Sequence, residues 1–203
     1  VYRRILIGLF AIFLFLCLGA GWTRDWASLR QAGGDIKTIS ANFIQTKKLE
    51  ILKQPLVAQG RFFYQAPDSL RWEYTTPVRS LALMQAGELQ RFVWSGNQWR
   101  ADANPSSQAM QAVLGKMQMW LQGSFQDQTG FTAKLESGPP AFIKLEAGKA
   151  MRPYVEEIVL RLGQRPGVIE RIDIREYEHS STRIEFKDLK LNAPIASEVF
   201  AKP

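Results

Sequence analysis

Pro67-Asp68-Ser69-Leu70-Arg71-Trp72-Glu73-Tyr74-Thr75-Thr76-Pro77 shows the dominant period of the chain most clearly. Between its prolines, Leu70, Trp72 and Tyr74 alternate with Arg71, Glu73 and Thr75, which is the period of a half-buried strand. Pro67-Asp68 turns the chain into that strand, and Pro77 ends it because proline brings no N–H to a ladder. The alternation extends in both directions. Upstream, Phe43, Gln45, Lys47 and Leu49 share one face of a strand with Ile44 on the other. After Pro55 a second strand, 56–64, sets Phe62 and Tyr64 on one side. Downstream, 78–85 and 88–95 read as a hairpin across Ala86-Gly87 with Phe92 and Trp94 on one face. Ser95-Gly96-Asn97 then turns the chain into Trp99. Strands resume at 131–135, 141–147, 154–162, 168–178 and 182–191, and a short piece around Val199-Phe200 closes the chain.

Two segments carry helical period instead. In the first, Thr23 is the expected N-cap, Trp22, Trp26 and Leu29 line one face, Gly33-Gly34 is the stop, and a further turn runs through Ile36 and Ile39. In the second, Asn104-Pro105-Ser106-Ser107 opens a helix, Met110, Val113, Leu114, Met117 and Leu121 follow at helical spacing, and Gly123 ends it. No βαβ alternation, internal repeat or low-complexity segment appears. Sequential strands joined by short turns predict a mainly β (α+β) fold. A single curved antiparallel sheet forms an incomplete barrel, with an N-terminal helix and a mid-chain helix over its mouth.

The 203 residues open with Arg3-Arg4, an apolar run from Ile5 to Leu18, and the small residues Gly19-Ala20-Gly21. That is the pattern of a secretory signal peptide over residues 1–20, followed by one domain over 21–203; an uncleaved anchor is the alternative. Leu16 before Cys17 is too bulky for a lipidation signal. Cys17 is the only cysteine, so the exported chain is expected to lack disulfides. Loss of residues 1–20 removes two arginines and no acids, lowering the net charge from +7 by two units. The remaining excess is scattered and suits an anionic surface or an acidic partner, with no basic arm for nucleic acid.

Catalytic chemistry is sparse. His179, the one histidine, lies in a turn beside Ser180 and Ser181 without a nucleophile elbow. One histidine and no exported cysteine leave only carboxylates for a metal, and Glu156-Glu157, as strand neighbours, are expected on opposite faces. No phosphate loop or dinucleotide fingerprint occurs. Neither an enzyme nor a cofactor is expected. The chain is rich instead in aromatic and flexible apolar residues: six tryptophans, twelve phenylalanines, and Met110, Met117 and Met119 on or beside one helix. Pattern alone assigns these to the protein's own core more readily than to a ligand.

Residues 39–77 also carry motifs in a fixed order: Ile39-x-x-x-Phe43-x-Gln45, Gln59-Gly60-Arg61-Phe62, then Pro67-x-x-Leu70-Arg71-Trp72-Glu73-Tyr74-x-x-Pro77. With Arg183-Ile184-Glu185-Phe186-x-Asp188 and Phe200-x-x-Pro203, the set resembles the outer-membrane lipoprotein carrier (LolA-like) family over most of residues 22–203. The resemblance implies a half-barrel whose cavity shields lipoprotein acyl chains across the periplasm. It implies as partners an ATP-driven inner-membrane release complex and an outer-membrane acceptor; a monomer is expected. By the same resemblance Phe43, Phe62, Leu70, Trp72, Tyr74, Phe92 and Trp94 line the lipid-binding cavity. Met110, Val113, Leu114, Met117 and Leu121 form the lid face. Many members place an arginine before the proline matching Pro67 to hold the lid. Here the residue is Ala66, and Arg71, on the opposite side of its strand from Leu70 and Trp72, is a poor substitute. Lys48-Leu49-x-x-Leu52-x-x-Pro55-Leu56 looks closer to divergent LolA-like proteins. Another acylated lipid as cargo, or a non-transporting structural or sensor half-barrel, are therefore the alternatives.

Overall fold

The computed structural model describes residues 25–102, 108–126, 130–177 and 179–203. The expected export segment and Thr23 lie outside them. Helix α1 spans Trp26–Gly34, and its N-cap is Asp25, whose carboxylate accepts from the Ser28 N–H at 2.7 Å. The expected extra turn after it is absent: Thr38 already begins a strand, and Ile39 is a buried strand residue.

Among the described residues eleven strands make one antiparallel sheet. The first meander holds β1 (Thr38–Lys48), β2 (Leu56–Gln65), β3 (Ser69–Thr76), β4 (Ser80–Gln85), β5 (Glu88–Ser95) and β6 (Gln98–Ala101). Helix α2 (Gln108–Leu121) leads to the second: β7 (Phe131–Glu136), β8 (Phe142–Ala147), β9 (Val155–Leu162), β10 (Ile169–Glu176) and β11 (Ser181–Leu191). The order β6-β5-β4-β3-β2-β1-β11-β10-β9-β8-β7 joins the meanders at one seam, β1 against β11, and leaves β6 and β7 as unpaired edges. The barrel is incomplete, as expected.

Register sorts the side chains by face, since residues directly opposite in neighbouring strands point the same way. The inner face runs through Trp72, Phe62, Phe43, Phe186 and Ile184, then Ile172, Leu160 and Ile143. It is aromatic in the first meander and aliphatic in the second. Both helices contribute to this core through Leu29, Leu114, Met117, Trp120 and Leu121.

The outer face is mostly charged, with apolar exceptions. Leu81, Leu83 and Phe200 are buried, Phe200 belonging to a C-terminal 3-10 helix, Ser197–Phe200. Arg71 points outward as expected and fastens this helix, donating to the Val199 carbonyl at 3.0 Å while pairing with buried Glu73. Glu156 and Glu157 depart from the expectation of opposite faces. A register shift beside Arg175 interrupts the alternation, and both carboxylates reach Arg175, at 3.1 and 2.9 Å.

The ends of the strands define two rims. Turns 66–68, 86–87, 137–141 and 163–168 share the rim where the helices are held. Turns 49–55, 77–79, 96–97 and 148–154, with Tyr177, His179 and Ser180, share the far rim.

Candidate functional site: an aromatic inner face beneath a helix

Of the seven expected cavity residues, the structure brings five together. Phe43, Phe62, Leu70 and Trp72 are fully buried, and Tyr74 is half-buried beside them. The Phe43 and Trp72 rings are 4.5 Å apart, Phe43 meets Tyr74 edge-on at 5.2 Å, and Phe62 and Phe186 close on Trp72 at 5.6 and 5.9 Å. The cluster depends on Gly60, which lies opposite Phe43 in the ladder. A Cβ there would sit 2.4 Å from the Phe43 ring and 2.1 Å from the Glu73 carbonyl oxygen. Only glycine lets that ring lie over the strand.

Phe92 and Trp94 are elsewhere. Trp72 pairs with Ala82, and Ala82 with Arg91, so the inner positions of β5 are Leu89, Arg91 and Val93. Phe92 and Trp94 point outward, where Trp94 packs edge-on against Trp99 at 5.5 Å and Arg79 lies over the Trp94 ring at 4.5 Å. Their alternation was read correctly and assigned to the wrong face.

Leu114, Met117 and Leu121 of the expected lid face are buried against the sheet; the side chains of Met110 and Val113 lie outside the described residues. Trp120 and Phe125, also fully buried, were missed by the sequence reading. Phe125 follows the helix stop, where apolar spacing is no guide. The end of α2 forms a Schellman motif: Gly123 at φ +76° donates to the Trp120 carbonyl at 2.9 Å, and Ser124 donates to that of Met119 at 2.9 Å. Gly123 also abuts α1, since a Cβ on it would fall 2.5 Å from the Leu29 carbonyl oxygen.

Ala66 offers the helix no charged contact, and a different latch is present. Gln118 and Gln122, one helical turn apart, both donate their side-chain amides to the Pro67 carbonyl, at 2.9 and 2.8 Å. Beneath α2 the described side chains pack closely. The gap among Ile39, Phe62, Met117, Leu121, Val168 and Phe186 amounts to about 10 Å³, room for one water at most. Trp120 is fully buried there, with no hydrogen-bond partner for its indole N–H among the described residues.

Toward the far rim the inner face becomes polar. The Tyr74 hydroxyl donates to Gln45 Oε1 at 2.7 Å, and burial pushes its phenol pKa up to about 12, against the opposing influence of Trp72, Arg91 and Gln45. Lys47 pairs with Glu176 at 2.8 Å, and the Thr182 hydroxyl donates to the same carboxylate at 2.6 Å. A groove of about 860 Å³ lies on the outer face near β8, β9 and β10, walled by Arg152, Glu156, Glu157 and Arg175. It is separate from the aromatic cluster. Among the described residues no three metal-ligating side chains gather, and no helix is long and apolar enough to cross a membrane.

Comparison with known proteins gives a consistent picture. The family model for "Outer membrane lipoprotein carrier protein LolA" matches residues 34–202. Outer-membrane lipoprotein carrier proteins from two Neisseria meningitidis strains, of serogroups C and A, are each 26% identical over 173 residues, covering 85% of this chain and 80% of theirs. Among solved structures, a DUF1329 family protein from Desulfovibrio piger superposes with a TM-score of 0.50 at 10% identity, covering 87% of this chain and 95% of its own. A LolA superfamily protein from Nitrosomonas europaea gives a TM-score of 0.47 at 10% identity, covering 87% and 96%.

Proposed function

Since this chain belongs to the LolA family, whose model spans most of its length, we propose that it is a periplasmic carrier that shelters lipoprotein acyl chains against the inner face of its sheet. The carrier acts by binding alone, without catalysis. It is exported by its N-terminal segment, takes cargo from an ATP-driven inner-membrane complex and passes it to an outer-membrane acceptor.

The observation that carries this reading is the attachment of α2. The helix covers an apolar face through side-chain packing and two glutamine–carbonyl hydrogen bonds, with no part in the sheet ladder. A sixteen-carbon chain in water costs on the order of 10 kcal/mol, at ~0.8 kcal/mol per methylene. A trough this apolar offsets most of that cost once it is uncovered. In this reading cargo enters as α2 leaves, replacing the contacts of Met117, Trp120 and Leu121 with its own.

Titration with a fluorescent fatty-acyl probe tests the reading, followed by hydrogen exchange of residues 114–122 with and without probe. One-to-one binding with faster exchange in the helix is the expected result. Binding with unchanged exchange would remove the lid from the mechanism, and absence of binding would remove the carrier. Close packing beneath α2 is also what a non-transporting structural half-barrel needs, and the same titration separates the two. Mass spectrometry of lipid copurifying from the periplasm distinguishes lipoprotein from other acylated cargo.

A further inference from the structure

Large apolar side chains left in water cluster at one end of this molecule. Among the described residues Ile51, Leu52, Leu56, Val57 and Val78 are exposed at the far rim, Ile51 at 88% and Val78 at 61%. The β1–β2 turn and the first two residues of β2 supply the first four. Val78 belongs to the neighbouring β3–β4 turn, and the β2–β3 register, with Gln59 opposite Thr76, puts Val57 and Val78 at the same end of adjacent strands. Further round the same rim, Tyr154 and Tyr177 are exposed where β9 and β10 meet. Among the described residues Leu89 is the one exposed large hydrophobic at the other rim.

Basic residues are interleaved with these side chains. Among the described residues the far rim carries Lys48, Lys53, Arg79, Lys149 and Arg152 against the acidic Glu50. The tip 47–57, Lys-Lys-Leu-Glu-Ile-Leu-Lys-Gln-Pro-Leu-Val, is therefore a projecting apolar hairpin end within a positive collar. A groove for a peptide or a helix would partly enclose its lining, whereas Ile51 is 88% exposed at a turn, so this feature suits a soft surface that it can enter. Apolar tips flanked by lysine and arginine, with tyrosines at the margin, match the layering of an anionic bilayer: acyl boundary, headgroup and phosphate.

We propose that the far rim docks on the surface of an anionic lipid bilayer, with the 49–56 turn entering the headgroup region and Lys48 and Lys53 meeting lipid phosphates. This docking is independent of acyl-chain shelter, because the residues involved lie on turns outside the aromatic cluster. It would present the polar end of the inner face, at Tyr74, Gln45 and Lys47, to the membrane.

The test uses residues 21–203, which hold the whole sheet and both helices without the apolar leader. Flotation is measured with phosphatidylethanolamine vesicles containing about a quarter phosphatidylglycerol, and with phosphatidylcholine vesicles. Binding to the anionic vesicles is expected to be roughly 10-fold tighter than to the neutral ones and to weaken with added salt. Ile51→Ser with Leu52→Ser is expected to reduce binding roughly 10-fold while leaving the melting temperature and acyl-probe titration unchanged. Lys48→Glu with Lys53→Glu is expected to abolish the preference for anionic lipid. Failure of the unaltered protein to bind protein-free vesicles would overturn the proposal in favour of a protein partner. Self-association lost in the Ile51/Leu52 variant, without vesicle binding, would overturn it in favour of a second copy. Equal vesicle binding by that variant would also overturn it. Loss of the acyl-probe titration in the unaltered protein would instead overturn the carrier reading.

Discussion

Phe43 touches Trp72 and Tyr74 at once and lies over Gly60, so the aromatic cluster is one packed unit. Removing a ring from such a unit leaves a cavity that rigid neighbours cannot close. Phe62→Ala is expected to cost about 3–5 kcal/mol, seen as a lowered urea midpoint, and an unchanged midpoint would mean the cluster is loosely packed. Tyr74 adds a pH dependence. Its folded-state phenol titrates near 12 rather than 10, and burial raises the Tyr64 phenol as well. Below pH 10 both folded and unfolded chains keep these protons, and stability is unaffected. Between pH 10 and about 12 the unfolded chain loses the Tyr74 proton while the folded chain holds it, so stability falls as pH rises, and the raised Tyr64 phenol acts in the same direction. Tyr74→Phe should flatten part of that fall in denaturant titrations at pH 9 and 11.5, Tyr64 supplying the rest. The inward set Leu70, Trp72 and Tyr74 was legible because Arg71, Glu73 and Thr75 intervene as polar markers. Phe92 and Trp94 had no such marker to orient them. Leu81, Ala82, Leu83 and Met84 of the preceding strand are all buried, since the C-terminal 3-10 helix covers one side and the core the other. A strand apolar on both faces transmits no parity, and only the register across Ala86-Gly87 settles which way β5 faces.

At the scale of elements, α2 was legible as a helix from its spacing and its glycine stop, but its means of attachment was not. Ala66 lacks the usual charged group, and glutamines carry no periodic signal, so only coordinates link Gln118 and Gln122 to Pro67 across more than fifty residues. Each such bond contributes about 0.5–1.5 kcal/mol net, less where solvent competes. Gln118→Ala with Gln122→Ala is therefore expected to shift the lid equilibrium by about 2 kcal/mol, tightening acyl-probe binding by roughly 30-fold if the closed form dominates. Thermal stability without probe should drop in parallel. Unchanged affinity would mean that packing, not the amides, holds the helix. The start of α1 was misplaced by two residues because Thr23 and Asp25 are both good caps, and the choice rests on which side chain reaches the backbone N–H.

At the scale of the molecule, the half-barrel was legible from strand count and turn spacing, because sequential antiparallel neighbours need no long-range information. The seam between β1 and β11 was not, since nothing in either strand names a partner some 140 residues away. That seam makes one trough of two meanders, and its outer margins stay apart. β6 and β7 share no hydrogen bonds, so the distance between them is set by the twist of the sheet rather than by a closed ring of backbone pairing. Small-angle scattering is expected to show a radius of gyration that grows with the number of tails on a bound lipopeptide; a constant radius would mean a rigid wall. A cuff without a clasp fits several wrists, and this one can widen for each added tail by spreading its margins while every rung of the ladder stays intact.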